Sequence, residues 1–199
     1  SRLIAEQLSA KGKLIALDLD PASLSHAEKM FKNFSYTPTI HVVQRNFKDM
    51  HLVLDELGID QVQGILLDLG WNSDQFADAA RGFSFQHDEE LLMTFGDPSE
   101  YPFVAKDILN DWKEEDIKNV LRGYGEEKFS GRIARHIVEA RELKPITHTR
   151  ELVEIIEQAV PVFYRKGKIH PATRTFQALR IAVNDEFDAL ESFIKQSVS

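Results

Sequence analysis

Two short apolar runs constrain the fold of this chain more than any other feature: residues 14–19 (LIALDL) and residues 64–69 (GILLDL). Neither alternates between apolar and polar residues, so neither reads as a strand with one wet face. Residues 40–43 make a similar run between them. The intervening segments have helical spacing. Residues 2–8 form one, residues 21–33 another with Leu24, Ala27 and Phe31 on one side, and residues 52–57 a third that Gly58 closes. Apolar strand runs separated by helices predict a parallel sheet covered on both faces, an α/β fold of Rossmann-like type.

Beyond residue 75 the pattern changes. No strong strand run follows; helical segments are expected over residues 104–108, 114–121, 126–142 and 149–159, punctuated by Gly123-Tyr124-Gly125, Lys144-Pro145 and Val160-Pro161. The chain therefore reads as a first α/β part (residues 1–75), an inserted all-helical subdomain (residues 76–169), and a return to the α/β domain as a helix (residues 170–199). That returning helix starts at Pro171 and Thr173, with apolar residues at Phe176, Leu179, Val183, Phe187 and Leu190. Its other face aligns Thr173, Gln177, Arg180 and Asn184, with Arg174 beside them. A solvated helix more often shows Glu and Lys pairs, so this stripe suits a polar, partly anionic ligand.

Composition excludes several classes. There are no cysteines among the 199 residues, hence no disulfide framework and no thiolate metal site. The seven histidines lack metal-ligand spacing, and no metal is expected. No apolar run reaches the length of a membrane span, so no membrane partner is expected. The net charge of −8 is unevenly spread. From Arg122 to Arg180 there are 12 Lys or Arg against 7 Asp or Glu, and elsewhere 12 against 25. An acidic body with a basic segment is compatible with gripping phosphates, although ordinary surface patchiness gives the same count.

Ligands of open parallel sheets bind beyond the carboxyl ends of the strands. Asp18 ends the first run, and a carboxylate there has two acceptor oxygens to offer both hydroxyls of a ribose. Asp20, before Pro21, reads instead as a helix N-cap. The third run delivers Asp68, then Gly70, Asn72 and Ser73, with Gln75 within reach. Asp68 is expected to be poorly solvated and so to have a dedicated partner. The loop Arg81-Gly82-Phe83-Ser84-Phe85 is unusually apolar, and its aromatics read as a wedge between insertion and sheet in preference to a stacking platform. On residues 126–142, Phe129, Ile133 and Ile137 form the buried face. Lys128, Arg132, Arg135 and His136 are left as phosphate contacts or a solvated face.

These residues carry a resemblance. The motifs ILLDLG-x-x-S-x-Q (residues 65–75), RGFSF (81–85), YGEEKFSGRIARHIVEAR (124–141) and HPATRTFQALRIAVND (170–185) resemble, in order, those of the RsmH (MraW) family. Its members are S-adenosylmethionine-dependent methyltransferases acting on the N4 amine of a cytidine in small-subunit ribosomal RNA. The resemblance implies a class I methyltransferase domain with a helical insertion. It also implies S-adenosylmethionine as methyl donor, without a metal. In the cofactor site Asp18 would hold the ribose, Phe47 would pack by the adenine, and Asp68 and Gln75 would complete it, with Asp68 also the catalytic candidate. The RNA would face Arg132, Arg135, His170, Thr173, Arg174, Gln177, Arg180 and Asn184. Implied partners are small-subunit ribosomal RNA, free or in the assembled subunit, with a homodimer an open option. The implied location is the bacterial cytoplasm, or the mitochondrial matrix of a eukaryote.

The chain departs from the family in two ways. The segment after RGFSF has Leu92 and Thr94 where the family has Asp and Arg, so nothing is carried over there. The family's glycine-rich donor motif is expected before Ser1, and its later strands and SFHSLEDR motif after Lys195. The first family strand would lie between the 14–19 and 64–69 runs, and its loss predicts a central gap and weak donor binding. Two other classes stay open: a non-catalytic RNA-binding or ribosome-assembly module on the same fold, and a nicotinamide-dependent dehydrogenase using Asp18 for its ribose. The RGFSF and HPATRTFQALRI blocks argue against the dehydrogenase.

Overall fold

The computed structural model describes residues 1–32, 38–69 and 80–197. In chain order the first elements are α1 (Arg2–Gln7), β1 (Lys13–Asp18), α2 (Pro21–Lys32), β2 (Thr39–Gln44), a 3-10 turn (Phe47–Asp49) and α3 (Met50–Glu56). A second 3-10 turn (Pro98–Glu100) precedes α4 (Ala105–Asp111), α5 (Glu114–Gly123), α6 (Ser130–Arg141) and α7 (Thr149–Ala159). The chain continues with α8 (Val162–Arg165), α9 (Ala172–Asn184) and α10 (Glu186–Ser197). It folds as two compact units, residues 1–71 with 187–199 and residues 72–186.

In the first unit β1 and β2 pair in parallel, from Lys13 opposite Thr39 to Asp18 opposite Gln44. The crossover that such a parallel pair needs is provided by α2, which buries Leu24 and Phe31. Asp20 caps α2 as expected: its carboxylate accepts from the amides of Ala22 (3.3 Å) and Ser23 (3.2 Å) and from the Ser23 hydroxyl (3.0 Å). Val53 of α3 is buried, as are Ala189 and Phe193 of α10. The Phe193 ring meets Phe47 edge to face with centroids 5.6 Å apart. Gln196 ties the same elements by donating to the Lys48 carbonyl (2.6 Å).

The third expected strand does not form. Residues 64–69 have no strand pairing, and Ile65, Leu66 and Leu69 are 42 %, 72 % and 48 % exposed. An apolar run is only half of a strand; the other half is a neighbour whose N–H and C=O groups complete the ladder. Among the described residues β1 and β2 complete only each other.

The second unit is helical in its described regular structure, apart from one antiparallel bridge between Glu90 and His148. Its core contains Leu91, Ile108, Ile117, Leu121, Ile133, Ile137, Leu152, Ile156 and Leu179. In α7 the buried Leu152, Ile156 and Ala159 recur at the spacing of one helical face. Three acids in the first turn of α5, Glu114, Glu115 and Asp116, meet the positive end of its dipole. Packed neighbours include α5 with α6, α6 with α7, and α9 with α5.

Helix α9 lies in this helical unit, whereas the sequence returns it to the α/β part. Its buried residues, among them Thr175, Phe176, Ala178, Leu179 and Val183, join the helical core. It also ends sooner than its apolar period suggests. Asp185 adopts a left-handed conformation (φ 50°), and Phe187 beyond the break is exposed. Arg180 spans the break with two hydrogen bonds to the Glu186 carboxylate (2.7 and 3.0 Å).

Candidate functional site

At the carboxyl end of the sheet, two of the expected donor-site residues share one edge. Asp18 is the last residue of β1, and its carbonyl accepts from Arg45 just beyond β2 (3.1 Å). Phe47 follows on the 3-10 turn, half-buried and backed by Phe193. Asp18 Oδ1 accepts from the Asp20 amide (2.9 Å). The Leu19 amide also favours the charged carboxylate. The carboxyl is raised above the usual aspartate range, first by desolvation at the strand end, opposed by the Asp20 amide and reinforced by the Asp20 charge. This is an acceptor on a rigid support.

Asp68 differs from expectation. It is exposed, on backbone outside any strand, and no dedicated partner holds it among the described residues. Gln75 lies outside the described residues.

On the helical unit the expected polar stripe divides. Gln177 is exposed, and Thr173 is half-buried. Arg174 donates to the Glu126 carbonyl (2.6 Å), and Arg180 is held by Glu186. Asn184 is a correction: it is buried, donates to the carbonyls of Met93 (2.7 Å) and Arg180 (2.8 Å), and accepts from the Phe95 amide (2.9 Å). Its side chain is occupied by backbone that would otherwise be orphaned, which leaves it no contact to make with a ligand. On α6, Arg132 is exposed and Arg135 reaches Glu114 at 3.9 Å. His170 stacks on Phe85 (4.4 Å, 17°), and its Nδ1 accepts from Ala172 (3.2 Å).

The RGFSF loop is explained by packing within the helical unit. Phe83 stacks on Phe95, and Phe85 meets His170 and Phe176. Arg81 donates to the carbonyls of Thr94 (3.0 Å) and Phe95 (2.6 Å). Gly82 (φ 75°) is required because a Cβ there would strike the Glu90 carbonyl. Gly125 plays the same part against α9, where a Cβ would strike the Arg174 carbonyl.

The sequence reading missed Glu127. It is 1 % exposed, accepting from the Phe129 amide (2.8 Å) and the Tyr164 hydroxyl (2.8 Å). Burial, and then this hydrogen bond and charge, push the Tyr164 hydroxyl up to about 12. The signal was an acid in the turn before α6, indistinguishable by sequence from its exposed neighbour Glu126.

The MraW methylase family matches residues 1–199. The chain belongs to this family. It is 43% identical over 198 residues to the ribosomal RNA small subunit methyltransferase H of Brevibacillus brevis, and 44% identical over 200 residues to that of Clostridium botulinum. A protein of the same name in Ruminiclostridium cellulolyticum is 43% identical over 195 residues. These alignments cover 98–100% of this chain and 62% of each relative. The chain thus spans about three fifths of the length of the curated relatives it matches.

Proposed function

We propose that this chain is part of an enzyme that transfers a methyl group from S-adenosylmethionine to the N4 amine of a cytidine in small-subunit ribosomal RNA. The observation that carries the reading is Asp18, an exposed strand-end carboxylate, followed at the same end of the sheet by an aromatic ring at Phe47. Family membership and the names of the relatives support the methyl-transfer class.

The residues present fit a nucleoside-bearing donor. Asp18 would accept from ribose hydroxyls, and the half-buried ring of Phe47 would pack on the adenine. The donor supplies an electrophilic methyl carbon on a positively charged sulfur. The cytosine amine is a poor nucleophile because its lone pair is delocalised into the ring, so the protein's contribution is alignment. Nitrogen must be held in line with the carbon–sulfur bond at about 3–3.5 Å from the methyl carbon. Transfer would break the donor's carbon–sulfur bond as the nitrogen–carbon bond forms, and the amine proton would pass to the Asp68 carboxylate or to solvent. Asp68 or the carbonyl of Leu69 would accept hydrogen bonds from the amine as positive charge develops there. Arg132, Arg135, His170, Thr173, Arg174, Gln177 and Arg180 would meet the RNA.

The test is methylation of ribosomal RNA by the full-length protein, with the modified nucleosides identified by mass spectrometry. N4-methylated cytidine is the expected product. Asp68→Ala separates its two roles: lost donor binding with intact single-turnover chemistry confines it to the cofactor. A full-length protein that binds RNA yet transfers no methyl group would favour a non-catalytic assembly module.

A further inference from the structure

From Gln158 to Asn184 the chain carries no acidic residue, while Arg165, Lys166, Lys168, Arg174 and Arg180 add positive charge. The start of this window is the short helix α8 and the residues after it. Tyr164 anchors α8 to the unit, its hydroxyl on the buried Glu127 carboxylate and its ring edge-on to Phe129 at 4.9 Å. The adjacent Phe163 faces outward, 72 % exposed, and meets Phe129 edge-on at 6.2 Å. Arg165, Lys166 and Lys168 are exposed, and among the described residues none of the three is in an ion pair.

A single exposed aromatic is ordinary on a protein surface. An exposed ring on a turn pinned by a buried acid, followed at once by three unpaired cations, combines the two parts that grip single-stranded nucleic acid. The ring offers a face for a splayed base, and the cations meet the flanking phosphates. The Glu127–Tyr164 bond fixes the turn beforehand, so little ordering remains when a ligand arrives. One helical turn offers too little apolar area to hold a membrane surface.

We propose that Phe163, Arg165, Lys166 and Lys168 form a grip for a single-stranded segment of RNA, with an unpaired base stacked on Phe163. This rests on the reading that the substrate is RNA, and it adds a binding element outside the polar stripe of α9.

The experiment measures binding of a labelled single-stranded oligoribonucleotide and of its duplex to the full-length protein, by fluorescence anisotropy across a salt series. Phe163→Ala is expected to weaken single-strand binding roughly 5- to 100-fold, and Phe163→Trp to retain it. Replacing Arg165, Lys166 and Lys168 together by Gln should lower the slope of log affinity against log salt by about 2. Unchanged single-strand affinity in Phe163→Ala overturns the grip. So does an equal loss for the duplex, or an effect seen only with assembled subunits or with anionic phosphatidylserine vesicles. The two readings fail separately. A protein that binds through these residues but transfers no methyl group loses the activity and keeps the grip. One that methylates normally with Phe163→Ala and binds RNA unchanged loses the grip alone.

Discussion

Asp18 and Glu151 are both acids beside backbone amides, yet their surroundings push them in opposite directions. Asp18 lies above the usual range because desolvation and the Asp20 charge outweigh the amides of Asp20 and Leu19. Its carboxylate therefore protonates sooner on acidification than an ordinary aspartate, and donor affinity should begin to fall at correspondingly higher pH. In the full-length protein, Asp18→Asn is expected to weaken S-adenosylmethionine binding roughly 10- to 100-fold, read by calorimetry. Glu151 is pushed up by burial, but Lys144 and the amides of Thr147 (2.8 Å) and His148 (3.1 Å) outweigh this and bring it to about 2. A depressed acid stabilises the fold above its unfolded value of 4.5, and that contribution fades as pH falls toward about 2. Lys144 is exposed, so solvent screens the pair, and Gln still accepts at the cap. Glu151→Gln should thus cost only about 1 kcal/mol at neutral pH and flatten the acid limb of stability, measured by urea unfolding across pH.

At the level of elements, what was legible is what local pattern determines. The apolar periods of α7 and α2 and the cap at Asp20 depend on residues within a few positions, and each is found as expected. What was not legible depends on a distant partner. Residues 64–69 have the composition of a strand but pair with no strand among the described residues. The apolar period of α9 runs on to Phe187 because nothing local, such as a glycine, announces the left-handed Asp185. Asn184 sits in the same polar row as Gln177 and Arg180, and only the position of Met93–Phe95, some ninety residues away, turns it inward. Removing its amide orphans a half-buried N–H and a buried C=O at once. Asn184→Ala should therefore destabilise the helical unit by about 2 kcal/mol or more, seen as a lower urea midpoint with unchanged slope. A purely RNA-facing role would instead leave the midpoint where it is.

Across the whole molecule, stability is expected to be uneven because the two units bury different things. The helical unit has a continuous apolar core spanning α4, α5, α6, α7 and α9. The other unit closes over a two-stranded parallel sheet, with Ala5, Leu24, Val53 and Phe193 among its buried residues. A parallel pair of two strands is marginal without further neighbours. Amide hydrogen exchange of the 199-residue chain should therefore be slowest in α6, α7 and α9, faster in β1 and β2, and fastest at residues 65–69, whose amides lack ladder partners. The same unevenness bears on the donor. Asp18 stands on a paired strand, whereas Asp68 stands on backbone outside any strand among the described residues, so ordering the second acid would consume free energy that binding must provide. This chain by itself should bind S-adenosylmethionine weakly or not at all. A calorimetric titration giving micromolar affinity would show that Asp18 and Phe47 suffice, and slowed exchange at residues 65–69 on adding donor would show that ligand alone orders the third run.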